Sequence, residues 1–142
     1  MEAHAQAAAP AATPPAPMAA TPFELIGGEP VVRGIAARFY EVMASDPAMA
    51  PLRALHGHDL APMEARLSDF LVQWLGGPPL YFQRGDARCM GQAHAALAID
   101  ESIRSQWLGC MARALDAAQV PAALRPLLDH AFAGMTEGMR NH

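Results

Sequence analysis

With 142 residues, the chain has the length of one ordinary domain with its own core. Its formal net charge is −4, which argues against a nucleic-acid surface, and no run is apolar and long enough to span a bilayer. Two cysteines, Cys89 and Cys110, form no CxxC pair, so a cytoplasmic protein without a disulfide framework is the default expectation.

Residues 1–21 are mostly alanine and proline with almost no large apolar side chain. Such a segment buries too little surface to offset its ordering entropy, so it reads as a disordered tail before a domain spanning 22–142. It also lacks the basic start and leucine-rich run of a secretory signal.

Beyond the tail, no segment alternates with period two, whereas helical spacing recurs, so the fold class is all-α. Thr21, Pro22 and Glu24 supply an N-cap, a first-turn proline and a capping-box glutamate for a short helix that stops at Gly27–Gly28. Val32, Ile35, Phe39 and Met43 mark one face of a second helix ending near Ser45. Asp46–Pro47 starts a shorter piece up to about Leu55. Asp59 caps the next helix, with an apolar face of Leu60, Met63, Leu67, Phe70, Leu71 and Trp74, ended by Gly76 and its neighbours. From Leu80 to about Met90 there is little periodicity. Asp100 then caps a helix with Ile103, Trp107, Cys110, Met111 and Ala114 inward. After Pro121, Leu124, Leu127, Leu128, Phe132, Met135 and Met139 form a last amphipathic helix. Four substantial helices and one long irregular connection make a small bundle. A connection of that length needs either a function or a brace.

Chemistry is sparse. No HExxH, GxSxG, Walker or GxGxxG pattern occurs, and no paired carboxylates suggest acid–base work. His56 and His58 flank Gly57 without further ligands at zinc-like spacing and read as solvated loop residues; His130 falls at a core boundary. His94 stands apart. It follows the irregular stretch, thirteen residues after Tyr81 and thirteen before Trp107, where an all-α domain can present one imidazole to a haem iron. By residue type alone, a satisfied core or surface histidine is the commoner reading. Tyr40 and Trp107 carry polar handles beside apolar faces and read either as ordinary core aromatics or as donors toward a ligand.

Taken together, the stretches FELIGG, RFYEVM, LRALHGHDL, FLVQWLGGPPLY, His94 with AALAI, and QWLGCMARAL resemble the group II truncated haemoglobins, bacterial and plant globins built as a two-over-two helical sandwich. The resemblance covers roughly 23–141. It implies haem (iron protoporphyrin IX) as cofactor, with His94 as the proximal iron ligand. It places Tyr40, Trp107, His56, Met63 and Leu67 on the distal, ligand-binding side, with Tyr40, Trp107 and then His56 as hydrogen-bond donors. Phe39, Phe70, Leu71 and Tyr81 are expected to pack the porphyrin.

One departure is plain. Where the family carries an arginine-rich run before the proximal histidine, this chain has Met90, Gly91, Gln92 and Ala93, and the family's glycine–histidine–proline reads Gly85, Asp86, Ala87. Charge anchoring of the haem is therefore expected to shift to Arg84 or Arg88. The implied function is reversible binding of O2 and other diatomic ligands such as NO and CO at a five-coordinate iron, in a monomer or homodimer. The alternatives are a haem enzyme, either an NO dioxygenase or a peroxidase-like protein served by an unknown reductase, and a haem-free globin-like interaction scaffold, which the missing arginines motivate.

Overall fold

A computed structural model of the chain describes residues 20–88 and 93–142. The expected tail falls almost wholly outside these residues, as do Cys89, Met90, Gly91 and Gln92. Every regular element among the described residues is helical. In chain order these are α1 (Pro22–Ile26), α2 (Glu29–Ser45), a 3-10 turn (Pro47–Met49), α3 (Ala50–Ala54), α4 (Ala61–Trp74), α5 (Leu80–Gln83), α6 (Glu101–Ala117) and α7 (Arg125–Met139).

The expected caps explain where several helices begin. Thr21 Oγ1 accepts from the Glu24 N–H at 3.2 Å, Asp46 Oδ1 from Ala48 at 2.9 Å, and Asp100 Oδ1 from Ile103 at 2.8 Å. Asp59 accepts from the Ala61 N–H at 3.0 Å, so it holds the start of α4 from just outside the helix. Gly27 ends α1 at φ 116°, in the left-handed region, and lets the Gly28 N–H reach the Phe23 carbonyl at 2.9 Å.

The long helices pack as two layers: α2 lies against α4 and α6, and α6 against α7. This is the two-over-two helical sandwich. Its core is filled by Val32, Ile35, Phe39 and Met43 from α2, Leu71 and Val72 from α4, Cys110, Met111 and Leu115 from α6, and Leu128 and Phe132 from α7. Burying side chains of this size contributes about 1.5–3 kcal/mol each, and that is what holds the layers together. Burial pushes the Cys110 thiol up to about 11, which makes it an inert core residue.

Two expectations need correction and two are made more exact. Leu127 is 67% exposed, because it sits a quarter turn off the stripe formed by Leu124, Leu128, Phe132 and Met135. His130 is likewise exposed rather than at a core boundary, being on the far side of α7 from that stripe. The irregular stretch after Leu80 contains a single helical turn, α5. It is braced internally: the Tyr81 hydroxyl donates to the Arg88 carbonyl at 2.7 Å and accepts from the Arg88 N–H at 3.2 Å. Finally, the face of α4 that enters the core is Ser68, Leu71 and Val72, continued by Leu75. Met63, Leu67 and Phe70 remain partly accessible on a neighbouring face.

Candidate functional site

What Met63, Leu67 and Phe70 face is a cavity of about 480 Å³. That is the size range of sites for small molecules and cofactors, about 300–1,000 Å³. Tyr40 from α2, His56 from the loop after α3, Tyr81 from α5, His94, and Trp107 from α6 share its wall. A periodic apolar stripe thus serves two purposes on α4, core on one side and cavity wall on the other.

His94 is half-buried in helical backbone, and its carbonyl accepts from the Leu97 N–H at 3.0 Å. Ile99, buried, continues the cavity wall. The segment is tied down from a distance: Asn141 Oδ1 accepts from the Ile99 N–H at 2.8 Å, and Asn141 Nδ2 donates to the Leu97 carbonyl at 2.7 Å.

Tyr40 is 6% exposed and Trp107 half-buried; among the described residues neither the phenol O–H nor the indole N–H has a hydrogen-bond partner. Both residues line the cavity, and a donor that an occupant shuts off from water costs about 1–3 kcal/mol unless it finds an acceptor, so the pair suits an occupant with acceptor character. Burial, aided by the nearby Glu64 carboxylate and Cys110, pushes the Tyr40 phenol far above its ordinary value. Tyr40 therefore stays a protonated donor at any physiological pH. The two rings are held by packing on Phe39, whose centroid lies 5.0 Å from Tyr40 and 5.1 Å from Trp107.

His56 Nδ1 sits 2.9 Å from the Leu52 carbonyl oxygen. A carbonyl only accepts, so Nδ1 carries the proton and Nε2 of the neutral ring presents a lone pair. Burial lowers the His56 pKa, against the pull of the Leu52 carbonyl and together with the charges of Arg53 and His94. The neutral form is thus favoured, and the expectation of His56 as a third donor changes: its proton is already committed to Leu52.

Three residues expected to pack the porphyrin do not line the cavity. Phe39 and Leu71 are fully buried in the core behind it. Arg84 is turned to Asp69, at 2.5 Å, and toward Asp86, at 3.7 Å. Phe70, Tyr81 and Arg88 do line it. So do Arg66, paired with Asp86, and Arg104, which reaches Thr136 at 3.2 Å and the Ala133 carbonyl at 2.8 Å. These two arginines escape sequence reasoning. The only signal for Arg66 is its place between Met63 and Leu67 on the cavity face of α4.

The donor set fits one kind of group. Among the described residues no three histidine, cysteine or carboxylate side chains gather to hold a metal ion. One imidazole on an apolar cavity can hold a metal only when the remaining ligands arrive with it, as in a porphyrin. The half-buried Arg66 and the exposed Arg88 give the rim cations for an anionic edge.

The comparisons with known proteins give the family. The profile of the bacterial-like globin family matches residues 21–141, so the chain belongs to that family. Its likenesses are to group II truncated haemoglobins. It is 32% identical over 107 residues to the group 2 truncated haemoglobin YjbI of Bacillus subtilis (strain 168), covering 75% of this chain and 78% of the relative. The cold-adapted truncated haemoglobin of the Antarctic marine bacterium Pseudoalteromonas haloplanktis TAC125 superposes with a TM-score of 0.82 at 34% identity, covering 87% of this chain and 99% of that one. The group II 2-on-2 haemoglobin of the plant pathogen Agrobacterium tumefaciens gives a TM-score of 0.82 at 35% identity, with 87% and 96% covered. Among the described residues no helix is long and apolar enough to cross a membrane.

Proposed function

We propose that this globin holds haem through His94 and binds oxygen, and other diatomic ligands such as NO and CO, under the donors of Tyr40 and Trp107. One observation carries the reading: the His94 imidazole and the donors of Tyr40 and Trp107 share the wall of one cofactor-sized, largely apolar cavity, where the other histidine, His56, has its Nδ1 proton on the Leu52 carbonyl. Ferrous haem supplies an iron with a coordination position open to a diatomic molecule.

The chain's residues do the rest. His94 would present an imidazole nitrogen to the iron, and the segment carrying it is fixed to Asn141. Tyr40 and Trp107 keep their protons and offer them to a ligand that gains partial negative charge, a hydrogen bond worth about 1.5–3 kcal/mol. Leu67, Phe70 and Met63 exclude water from the cavity and so strengthen that interaction. Arg66 and Arg88, at the rim, would neutralise the carboxylates of the porphyrin edge. A haem-free scaffold is disfavoured, since a cavity of this size is costly to maintain without an occupant.

The test is spectroscopic. Haem-loaded protein is expected to show a Soret band that shifts with carbon monoxide after reduction, and His94→Ala is expected to abolish the ordinary five-coordinate spectrum. An unchanged spectrum in His94→Ala would assign the iron to another residue.

A further inference from the structure

Asn141 makes more contacts with the His94 segment than any local pattern foretells. Its side chain brackets the backbone on both sides, accepting from the Ile99 N–H at 2.8 Å and donating to the Leu97 carbonyl at 2.7 Å. Its own N–H donates to the Ile99 carbonyl at 2.9 Å, and the His142 N–H reaches the same oxygen at 3.2 Å. The pairing at Ile99 is reciprocal, as in an antiparallel ladder, and leaves the backbone between Leu97 and Ile99 little freedom.

Those contacts fall where they matter. The His94 carbonyl accepts from the Leu97 N–H, so the turn that carries His94 closes on the residue whose own carbonyl Asn141 holds. Leu97 and Ile99 line the cavity, as does Met139, two residues before Asn141 on the end of α7. On the far side, Asp100 caps α6 through the Ile103 N–H. The His94 segment is thus held at its outgoing end by the start of α6 and by the chain just past α7, with Asn141 as the only side chain that contacts it between Leu97 and Ile99 through hydrogen bonds among the described residues.

We propose that Asn141 is a positioning residue for His94. By fixing the Leu97–Ile99 backbone it sets the height and tilt of the imidazole against the cavity, and hence how firmly a metal-bearing group is held. Asparagine is suited to this because one planar amide offers an acceptor and a donor at the spacing of one residue's N–H and a neighbour's C=O. In a chain without the arginine-rich run ahead of His94, this anchor from α7 acts on the outgoing side of the histidine.

The inference rests on haem binding through His94, and its test separates the two. Haem-loaded parent, Asn141→Ala and Asn141→Asp are compared for haem loss to an excess of a haem-scavenging apoglobin, and for the iron–histidine stretching band of the ferrous form. Asn141→Ala is expected to lose haem roughly tenfold faster, the scale of one or two lost hydrogen bonds, with a shifted or broadened band. Asn141→Asp keeps the acceptor for Ile99 and is expected to fall between. Hydrogen exchange at the Ile99 amide is expected to quicken in the alanine variant and much less in the aspartate one. A haem-loaded alanine variant with the parent's loss rate and an unmoved band would overturn the positioning role while leaving haem binding intact. Failure of the parent itself to take up haem overturns both.

Discussion

Tyr40 and His56 meet edge to face, with ring centroids 5.8 Å apart and planes at 78°. The contact places a donor and an acceptor side by side on the same wall of the cavity. Tyr40 keeps its proton because burial disfavours the phenolate, whereas His56 has spent its Nδ1 proton on Leu52. The two aromatic side chains are therefore not interchangeable. Replacing Tyr40 by phenylalanine is expected to speed oxygen dissociation by about ten- to a hundredfold, matching the loss of about 1.5–3 kcal/mol. His56→Leu, which removes a donor to Leu52 but none toward the cavity, is expected to change the rate by less than about threefold. Flash photolysis or oxygen displacement by carbon monoxide gives both rates. Equal effects in the two variants would mean that the wall acts by packing and not by hydrogen bonding.

Arg66 on α4 and Asp86 beyond α5 form an ion pair at the rim of the same cavity. A cofactor that brings carboxylates to this rim competes with Asp86 for Arg66. Asp86→Asn is expected to slow haem loss about two- to fivefold, and Arg66→Ala to speed it by a similar factor, since Arg66 is only half-buried, Asp86 is exposed, and the pair is partly solvent-screened. Haem transfer to a scavenger reads both. If Asp86→Asn speeds the loss instead, the pair is a brace for the loop and not a competitor.

A prediction about acid concerns the other side of the molecule. Asp46 closes α2 and opens the following turn. One carboxylate oxygen accepts from the Ala48 N–H at 2.9 Å, and the other meets Arg113 of α6 at 2.6 Å. The Ala48 N–H first, and Arg113 second, hold its carboxyl below the usual carboxylate range. The unfolded chain takes up this proton near its ordinary value of about 4, while the folded chain resists. The contribution is therefore fully present above about pH 4 and is lost as pH falls through the folded value. Asp46→Asn keeps the capping acceptor and loses the charge. Its deficit in urea midpoint against the parent is expected at pH 7 and should shrink toward pH 3. A deficit independent of pH would show that the charge is not what Asp46 contributes.

The helices were legible because their signals are local. Thr21, Asp46, Asp59 and Asp100 each accept from an N–H two or three residues on, and a spacing of that kind can be read directly from the chain. What the periodicity of α4 could not say is that part of its apolar stripe faces a cavity. Leu67 and Leu71 have the same hydropathy and lie one turn apart, yet one lines the cavity and the other is 1% exposed in the core. That distinction depends on what lies opposite each face, as does the exposure of Leu127. The positions of His94, Tyr40 and Trp107 were reached through a resemblance, because one imidazole and two aromatics fit bland readings as well. Asn141 was beyond reach: its partners are 42 and 44 residues away, with no pattern linking them. The proton on His56 was hidden for a different reason, being set by a single carbonyl four residues earlier.

Two glycines that look alike in the sequence are expected to respond oppositely to the same substitution. At Gly77, just past α4, an added Cβ would lie 2.8 Å from the Val72 carbonyl oxygen and 2.9 Å from the Phe23 ring. The first obstacle is backbone, already engaged by the Gly77 N–H at 2.8 Å, and the second is a ring wedged between α1 and the core. Neither can give way without shifting the junction of α1 and α4, so Gly77→Ala is expected to cost about 1–3 kcal/mol. Gly134 stands on the exposed side of α7, where an added Cβ meets nothing within 4 Å. There alanine removes backbone entropy from the unfolded chain and clashes with nothing, so Gly134→Ala is expected to stabilise the fold by about 0.5–1 kcal/mol. Urea unfolding of the two variants beside the parent measures both. A Gly77→Ala variant as stable as the parent would mean that α1 is free to move away from the end of α4, and the tight junction described between them would have to be abandoned.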